Sequence, residues 1–288
     1  MQPPQSILFP VDFSEPANAM VPFVADLARR FGARITLLHA FDLVRDYALG
    51  PSSDSTADSD PEAVPYTPAF QVLRNGRQKR LEQFARDHCR DLAATARIED
   101  GDPAAVIQWV ARSENTDLIM MPTRGLGTFR RFLLGSVTAK VLHDVDCPVL
   151  TGAHDPDRPL TPPHGFHSIV CAVQLNQEAD LVLEAAGFLA RTHGATVCLV
   201  HMESASSFRR YGGQAALETL RQKLQTHAVE ATVRVLDAAV SKGIRSTALE
   251  HKADLVVIGR GHGKQNLARV WSHLYNIICE SPCPVLSV

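Results

Sequence analysis

The sequence predicts an α/β fold made of two tandem doubly wound domains, each a five-stranded parallel sheet in the order 3-2-1-4-5 with helices on both faces. Three observations carry this. Ile7–Asp12 (Ile-Leu-Phe-Pro-Val-Asp) recurs as Ile169–Gln174 (Ile-Val-Cys-Ala-Val-Gln) at an offset of 162, which also carries Gly32 onto Gly194 and His39 onto His201. Asp117–Met121 recurs as Asp254–Ile258 at an offset of 137, so the first copy holds about 25 more residues between these blocks, and Cys-Pro-Val-Leu closes both copies at Cys147–Leu150 and Cys283–Leu286. Each copy alternates short β-branched runs with amphipathic stretches, the pattern of a parallel sheet covered by helices.

In the first copy, strands are expected at Ser6–Val11, Arg34–Ala40, Ala96–Glu99, Leu118–Met121 and Val149–Thr151. The first helix starts after Ser14 as N-cap, with Glu15-Pro16 in its opening turn, and stops at Gly32, which suits a left-handed cap. A second helix covers Ala69–Ala93, a third follows Asp102-Pro103, and a fourth follows Gly135-Ser136. The second copy places strands at Ser168–Val173, Thr196–His201, Thr232–Leu236, Leu255–Ile258 and Val285–Val288. Domain 1 is thus residues 1–152, interrupted by an acidic loop at 46–68 that is rich in Pro, Ser and Asp, has little to bury and is expected to be mobile. A proline-rich linker at 153–167 leads to domain 2 at 168–288. The final strand of each copy lies at a sheet edge, and pairing the two across a pseudo-twofold would remove both edges, so an intramolecular pseudo-dimer is expected, with homodimerisation open.

At 288 residues each domain can bury its own core. A composition that is 45% hydrophobic and 21% charged, with a net charge of −2, argues against a nucleic-acid or membrane-surface partner. No apolar run approaches the ~18 residues of a membrane span, and Met1–Ser6 lacks the marks of a signal peptide, so a cytoplasmic location is expected. The six cysteines form no C-x-x-C pair and several fall in apolar strand patterns, as buried reduced thiols do. His143-x-x-x-Cys147 and Cys279-x-x-x-Cys283 lack the surrounding spacing of a zinc site. Trp109 and Trp271 are expected in a core or interface.

Ligands of open parallel sheets settle beyond the carboxyl ends of the strands, where strand order reverses. Between strands one and four, that crevice is expected to be lined by Pro10, Val11 and Asp12 on one side and by Met121, Pro122, Thr123, Arg124 and Gly125 on the other. Gly125, Gly127 and Gly135 let backbone approach a phosphate, and Gly135 precedes a helix whose first N–H groups, at Ser136, Val137 and Thr138, are free to bind an anion. Arg124, with Arg130 and Arg131 further along, can add charge-assisted bonds. Asp12 is placed to accept a ribose hydroxyl. The blander roles remain open: the glycines as turn and cap residues, Asp12-x-Ser14 as a helix cap, and His39 and His201 as satisfied structural histidines. The second copy has Gln174 for the carboxylate, His262 for a glycine, and Ser272-His273 after Trp271 where the first has Gly-Ser.

Taken together, Ile-Leu-Phe-Pro-Val-Asp-Phe-Ser-Glu, Gly32-x-x-Ile-x-Leu-Leu-His39, Gly101-Asp102-Pro103, Gly125-(nine residues)-Gly135-Ser136-Val137 and Cys147-Pro148-Val149-Leu150 resemble the universal stress protein family in its tandem form. The likeness covers nearly the whole chain apart from the loop and linker. It implies ATP, with or without Mg²⁺, in domain 1 only, with adenine near Val11 and Ala40, ribose at Asp12, and phosphates at Gly125, Gly135 and Ser136. Where family members that bind ATP carry the first glycine of Gly-x-x-Gly, this chain has Pro122, which has no N–H. One lost bond to a charged phosphate costs roughly 1.5–3 kcal/mol, about tenfold to hundredfold in affinity. No G-x-x-x-x-G-K-[ST] loop or G-x-S-x-G turn is present, so no catalytic residue is assigned. The expected role is an ATP-binding stress-response protein whose domain 2 is a structural or regulatory partner. A nucleotide-free interaction or chaperone-like protein and a slow ATPase are the alternatives.

Overall fold

The structure, a computed structural model, describes residues 2–42, 68–125, 133–154, 165–176, 178–203, 212–260 and 267–288. The first half runs β1 (Ser6–Pro10), α1 (Glu15–Phe31), β2 (Arg34–Phe41), α2 (Pro68–His88), β3 (Ala94–Asp100), α3 (Pro103–Ser113), β4 (Leu118–Met121), α4 (Ser136–Asp144) and β5 (Val149–Thr151). The second runs β6 (Ser168–Ala172), α5 (Ala179–His193), β7 (Thr196–Met202), α6 (Gly212–Thr226), β8 (Ala231–Leu236), α7 (Val240–Glu250), β9 (Leu255–Ile258), α8 (Leu267–Glu280) and β10 (Val285–Ser287).

Each half is an α/β unit with its strands in the expected 3-2-1-4-5 order, but the two sheets are one. The order is β3-β2-β1-β4-β5-β10-β9-β6-β7-β8, joined through an antiparallel pairing of β5 with β10, with Leu150 opposite Leu286. Within each half the paired neighbours are parallel. Because successive side chains of a strand face opposite ways, Ile7 and Phe9 enter a core on one face of the sheet and Leu8 a core on the other. Each core also takes residues from the second half, such as Ile169 and Cys171 on the first face and Val170 and Val256 on the second.

The repeat is visible in local devices. Ser14 caps α1 by accepting from the Ala17 amide at 3.3 Å, and Gly32 ends it in the left-handed region at φ 65°, as Gly194 ends α5 at φ 69°. Asp117 accepts from the amides of Gln5 and Ser6 at 2.8 and 3.0 Å, tying β4 to the start of β1. Asp254 repeats this with the amides of His167 and Ser168 at 2.8 and 3.3 Å.

Several expectations are corrected. The second helix ends at His88, not Ala93, and β3 begins at Ala94, because the ladder with β2 pairs Ala94 with Ile35. Phe166, at the end of the expected linker, is 1% exposed and meets Phe23 and His193 between the halves, with ring centroids at 5.9 and 4.8 Å. Trp109 is 53% exposed: α3 buries Ala104, Ile107 and Val110, and Trp109 lies off that stripe under the Arg97 guanidinium. Residues 46–67 of the acidic loop, residues 155–164 of the linker, Gly127, Arg130, Arg131 and His262 lie outside the described residues, as does the side chain of Trp271.

Candidate functional site

Strand order reverses between β1 and β4, and a cavity of about 450 Å³ opens beyond their carboxyl ends. Twelve residues expected there line it: Pro10, Val11, Asp12 and Ala40 on the β1–β2 side, Met121, Pro122, Arg124 and Gly125 after β4, and Gly135, Ser136, Val137 and Thr138 at the start of α4; Thr123, expected among them, is buried behind the wall. Leu38, Pro103, Ile107, Leu133 and Leu134 complete the wall without having been expected. The volume falls in the range of small-molecule sites, and the mixture of an apolar floor with a few convergent polar groups is their usual chemistry.

The Asp12 wall rests on a sharp backbone reversal. Phe13 has φ 60°, in the left-handed region that a bulky residue rarely adopts. Its ring is clamped by His39 at 4.8 Å, Phe84 at 6.0 Å and the Arg80 guanidinium at 4.1 Å, which explains how the strain is held. The reversal lets one Asp12 oxygen accept from the Ser14 amide at 3.0 Å, while Ser14 caps α1, so this stretch serves both helix and crevice. Nothing in the sequence beyond the Asp-Phe-Ser order marked Phe13. His39 Nδ1 is 2.6 Å from the Val11 carbonyl, and burial lowers its pKa below the ordinary value. The neutral ring therefore donates to Val11 and braces the end of β1. His201 makes the equivalent contact with Val173 at 2.9 Å, so both histidines take the structural role.

Across the cavity, α4 presents its N-terminus. Gly135 is the N-cap and offers no side-chain oxygen, unlike Ser14 on α1 and Asp102 on α3. The Gly135 amide is committed to the Thr123 carbonyl at 2.8 Å, and the helical ladder opens with Ala139 donating to the Gly135 carbonyl at 2.9 Å. The amides of Ser136, Val137 and Thr138 lie between these, ahead of the ladder, where a helix carries its partial positive charge. Thr138 donates its hydroxyl to the Pro122 carbonyl at 3.0 Å, fixing α4 to the loop after β4. Gly125 packs so tightly on Asp12 that a β-carbon there would overlap the carboxylate. Arg124, the one cationic side chain among the described lining residues, gives its Nη2 to the His154 carbonyl at 2.9 Å. Its guanidinium is thereby held at the rim by one donor, with others left over.

The corresponding cavity in the second half is smaller, about 250 Å³, and is lined by Gln174, Asn176, Glu178, His201 and mostly apolar residues. Burial of Thr138, Val141 and Leu142 on α4 and of Leu274, Ile277 and Ile278 on α8 aligns these helices at an offset of 136. This corrects the expected match: Trp271 stands at Gly135 and Ser272 at Ser136. More important, α8 begins at Leu267, five residues ahead of Ser272, whereas α4 begins at Ser136 itself. Amides that face the crevice in the first half are inside a helix in the second, already spent on intrahelical bonds. At Leu175, the counterpart of Phe13, no left-handed reversal occurs: among the described residues positive φ at non-glycine positions is confined to Phe13, Asn115, Ala228 and Lys252.

All six cysteines are free, and burial raises the Cys147 thiol to about 11, which makes it a poor nucleophile. Among the described residues no cluster of three or more His, Cys, Asp or Glu side chains could hold a metal, and no helix is long and apolar enough to cross a membrane.

Comparison with known proteins agrees with this architecture. The family model described as the universal stress protein family matches twice, at residues 4–151 and 165–288. A universal stress protein of Thermus aquaticus is 32% identical over 152 residues, spanning 51% of this chain and 96% of the relative. One from Synechocystis is 33% identical over 147 residues, spanning 51% of this chain and 83% of the relative. The crystal structure of a universal stress protein from Archaeoglobus fulgidus superimposes with a TM-score of 0.74 at 22% identity, covering 99% of this chain and 96% of that one, which shows a shared fold across both halves. With both halves matched, the chain belongs to the universal stress protein family and carries its domain twice.

Proposed function

We propose that the chain binds one ATP, in the first half, and that occupancy tunes how this stress-response protein associates. The observation that carries the reading is the uncapped start of α4, with Gly135 as N-cap, facing the Asp12 carboxylate across a cavity of about 450 Å³. Adenine would lie on the apolar floor at Val11 and Ala40, a ribose hydroxyl would donate to Asp12, and phosphates would meet Gly125, Gly135 and the amides of Ser136, Val137 and Thr138. Mg²⁺ could accompany the phosphates. Pro122 removes one amide from this set, so affinity is expected nearer micromolar than nanomolar.

The second half serves in this reading as a pseudo-symmetric partner. Domains 1–152 and 168–288, joined by 153–167, form an intramolecular pseudo-dimer through β5 and β10, in a protein expected in the cytoplasm. Asp12 is the one carboxylate among the described residues lining the first cavity, and it is assigned to ribose, so no base remains to orient a water. Gly135→Trp tests the assignment. A β-carbon at Gly135 meets the Thr123 carbonyl at 3.4 Å, an ordinary contact, and the indole must then occupy the cradle. ATP binding should be lost while circular dichroism is unchanged; undiminished binding would place the pocket elsewhere.

A further inference from the structure

The first half's α4, the helix at the proposed phosphate site, is held at both ends by the second half. At its N-terminal side, the Leu134 amide, one residue before the Gly135 N-cap, donates to the Tyr275 hydroxyl of α8 at 3.0 Å. At the C-terminal side, Arg260, just past β9 and 7% exposed, spreads its guanidinium over three carbonyls: Val145 at 2.7 Å, Asp146 at 3.2 Å and Cys147 at 2.6 Å. Val145 is the C-cap of α4 and the other two carbonyls lie in the turn after it, so this buried cation closes that turn and complements the helix dipole.

The grip is one-sided. By the register of β4 and β9, the counterpart of Arg260 is Thr123; by that of α4 and α8, the counterpart of Tyr275 is Ala139. Neither side chain is long enough to return the contact. The turns differ in the complementary sense. Ser281 closes its own turn, with its hydroxyl donating to the Cys283 carbonyl at 2.7 Å and accepting from the Cys283 amide at 3.4 Å. At the equivalent place the first half has Val145, which has no hydroxyl, and Arg260 arrives from the other half instead. Positions that in the first half belong to the crevice and its helix have, in the second, become reaching residues.

We infer that the second half sets the phosphate affinity of the first by holding α4 at both ends, with Tyr275 and Arg260 as positioning residues. This rests on the nucleotide reading of α4 given above. Tyr275 fixes the segment from Leu133 to Gly135, and so the direction in which the amides of Ser136 to Thr138 point. Arg260 fixes the opposite end of the same nine-residue helix. Because coupling between binding and contact is reciprocal, phosphate at the helix start should in turn tighten the contact between halves.

The test compares full-length wild type with Tyr275→Phe, measuring ATP and adenosine affinity and amide hydrogen exchange along residues 134–144 in the free protein. The variant should bind ATP roughly fivefold to tenfold more weakly, as expected for one lost positioning hydrogen bond. Adenosine, which has no phosphate, should bind within about twofold of wild type, and exchange at the start of α4 should quicken. Arg260→Lys, which keeps the charge but cannot cover three carbonyls, should quicken exchange at the end of α4 and also weaken ATP. Equal ATP affinity in wild type and Tyr275→Phe, or an equal loss for adenosine, overturns the inference. If wild type itself takes up no ATP, the nucleotide reading fails by itself, and unchanged exchange at residues 134–139 then overturns the inference separately.

Discussion

Leu286→Ala should destabilise both halves together. Leu286 is 2% exposed on β10, lies opposite Leu150 of β5 across the antiparallel junction and faces the core shared by the two halves. Packing around it is close: the space between the halves that Leu150, Leu255 and Leu286 line, with Phe31 and Phe188 whose rings lie 5.7 Å apart, amounts to about 10 Å³. The site is flanked by strands on both sides and cannot readily collapse. Truncation should therefore cost about 3–4 kcal/mol, in the upper part of the usual ~2–5 kcal/mol range for a buried leucine. That is a large fraction of a total stability of about 5–15 kcal/mol. With a urea dependence near 3 kcal/mol per molar, the unfolding midpoint should fall by about 1 M. The two tryptophans allow a reporter in each half: Trp271→Phe leaves Trp109 in the first, and Trp109→Phe leaves Trp271 in the second. Both reporters should show the same lowered midpoint, while Leu181→Ala, at a residue 61% exposed, should move it by less than about 0.2 M. A midpoint that falls only for the Trp271 reporter, or for neither, would refute the argument that the halves share one core.

Three further outcomes are expected. Gly125→Ala should displace the Asp12 carboxylate and weaken ATP about as much as Asp12→Ala, roughly tenfold for a lost hydrogen bond to a charged group; in the double variant the Gly125 change should add little, and full additivity in binding would separate the two residues. His193, half-buried between the halves beside Arg30 and His167, has its pKa lowered to about 4 by burial first and by those charges second. The unfolded chain takes up this proton near the ordinary histidine value and the folded chain only near 4, so its contribution is intact above about pH 6.5 and is lost as the pH falls toward 4. The full separation would be worth about 3.4 kcal/mol, and partial exposure reduces this to about 1–2 kcal/mol. Urea melts of His193→Gln should lack that part of the acid destabilisation, and an identical pH profile would count against it. ATP hydrolysis should stay far below the ordinary ~1–10³ per second, and turnover in that range abolished by Asp12→Ala would make this chain an enzyme.

Much of this architecture was legible because its signals are local. Ser14, Gly32, Gly194, Asp117 and Asp254 each act within their own repeat, and each half reads as a copy of the other. Eleven of the twelve lining residues were findable because strand-order reversal and the spacing from Gly125 to Gly135 locate a crevice without knowledge of side-chain contacts, while Ala40 entered only through the family resemblance. Contacts between copies carry no such signal. Tyr275 and Arg260 look like ordinary substitutions at Ala139 and Thr123 until β5 meets β10, since comparing repeats reveals loss of a motif but not where the replacement side chain goes. The register of α8 was misjudged by one residue because the segment between Ile258 and Ser272 is shorter than its counterpart, and only burial on the helix resolves the alignment. Phe13 was missed because left-handed backbone is signalled by glycine or asparagine, not by an aromatic residue held in place from outside.

Titration calorimetry of the full chain with ATP tests the central claim most directly. One site per chain is expected, lost in Gly135→Trp and kept when the second cavity is filled by Gly259→Leu, a change directed at the wall where a β-carbon on Gly259 would already lie 3.1 Å from Val182. Two equivalent sites, a single site abolished by the Gly259 change alone, or no heat at millimolar ATP would contradict it.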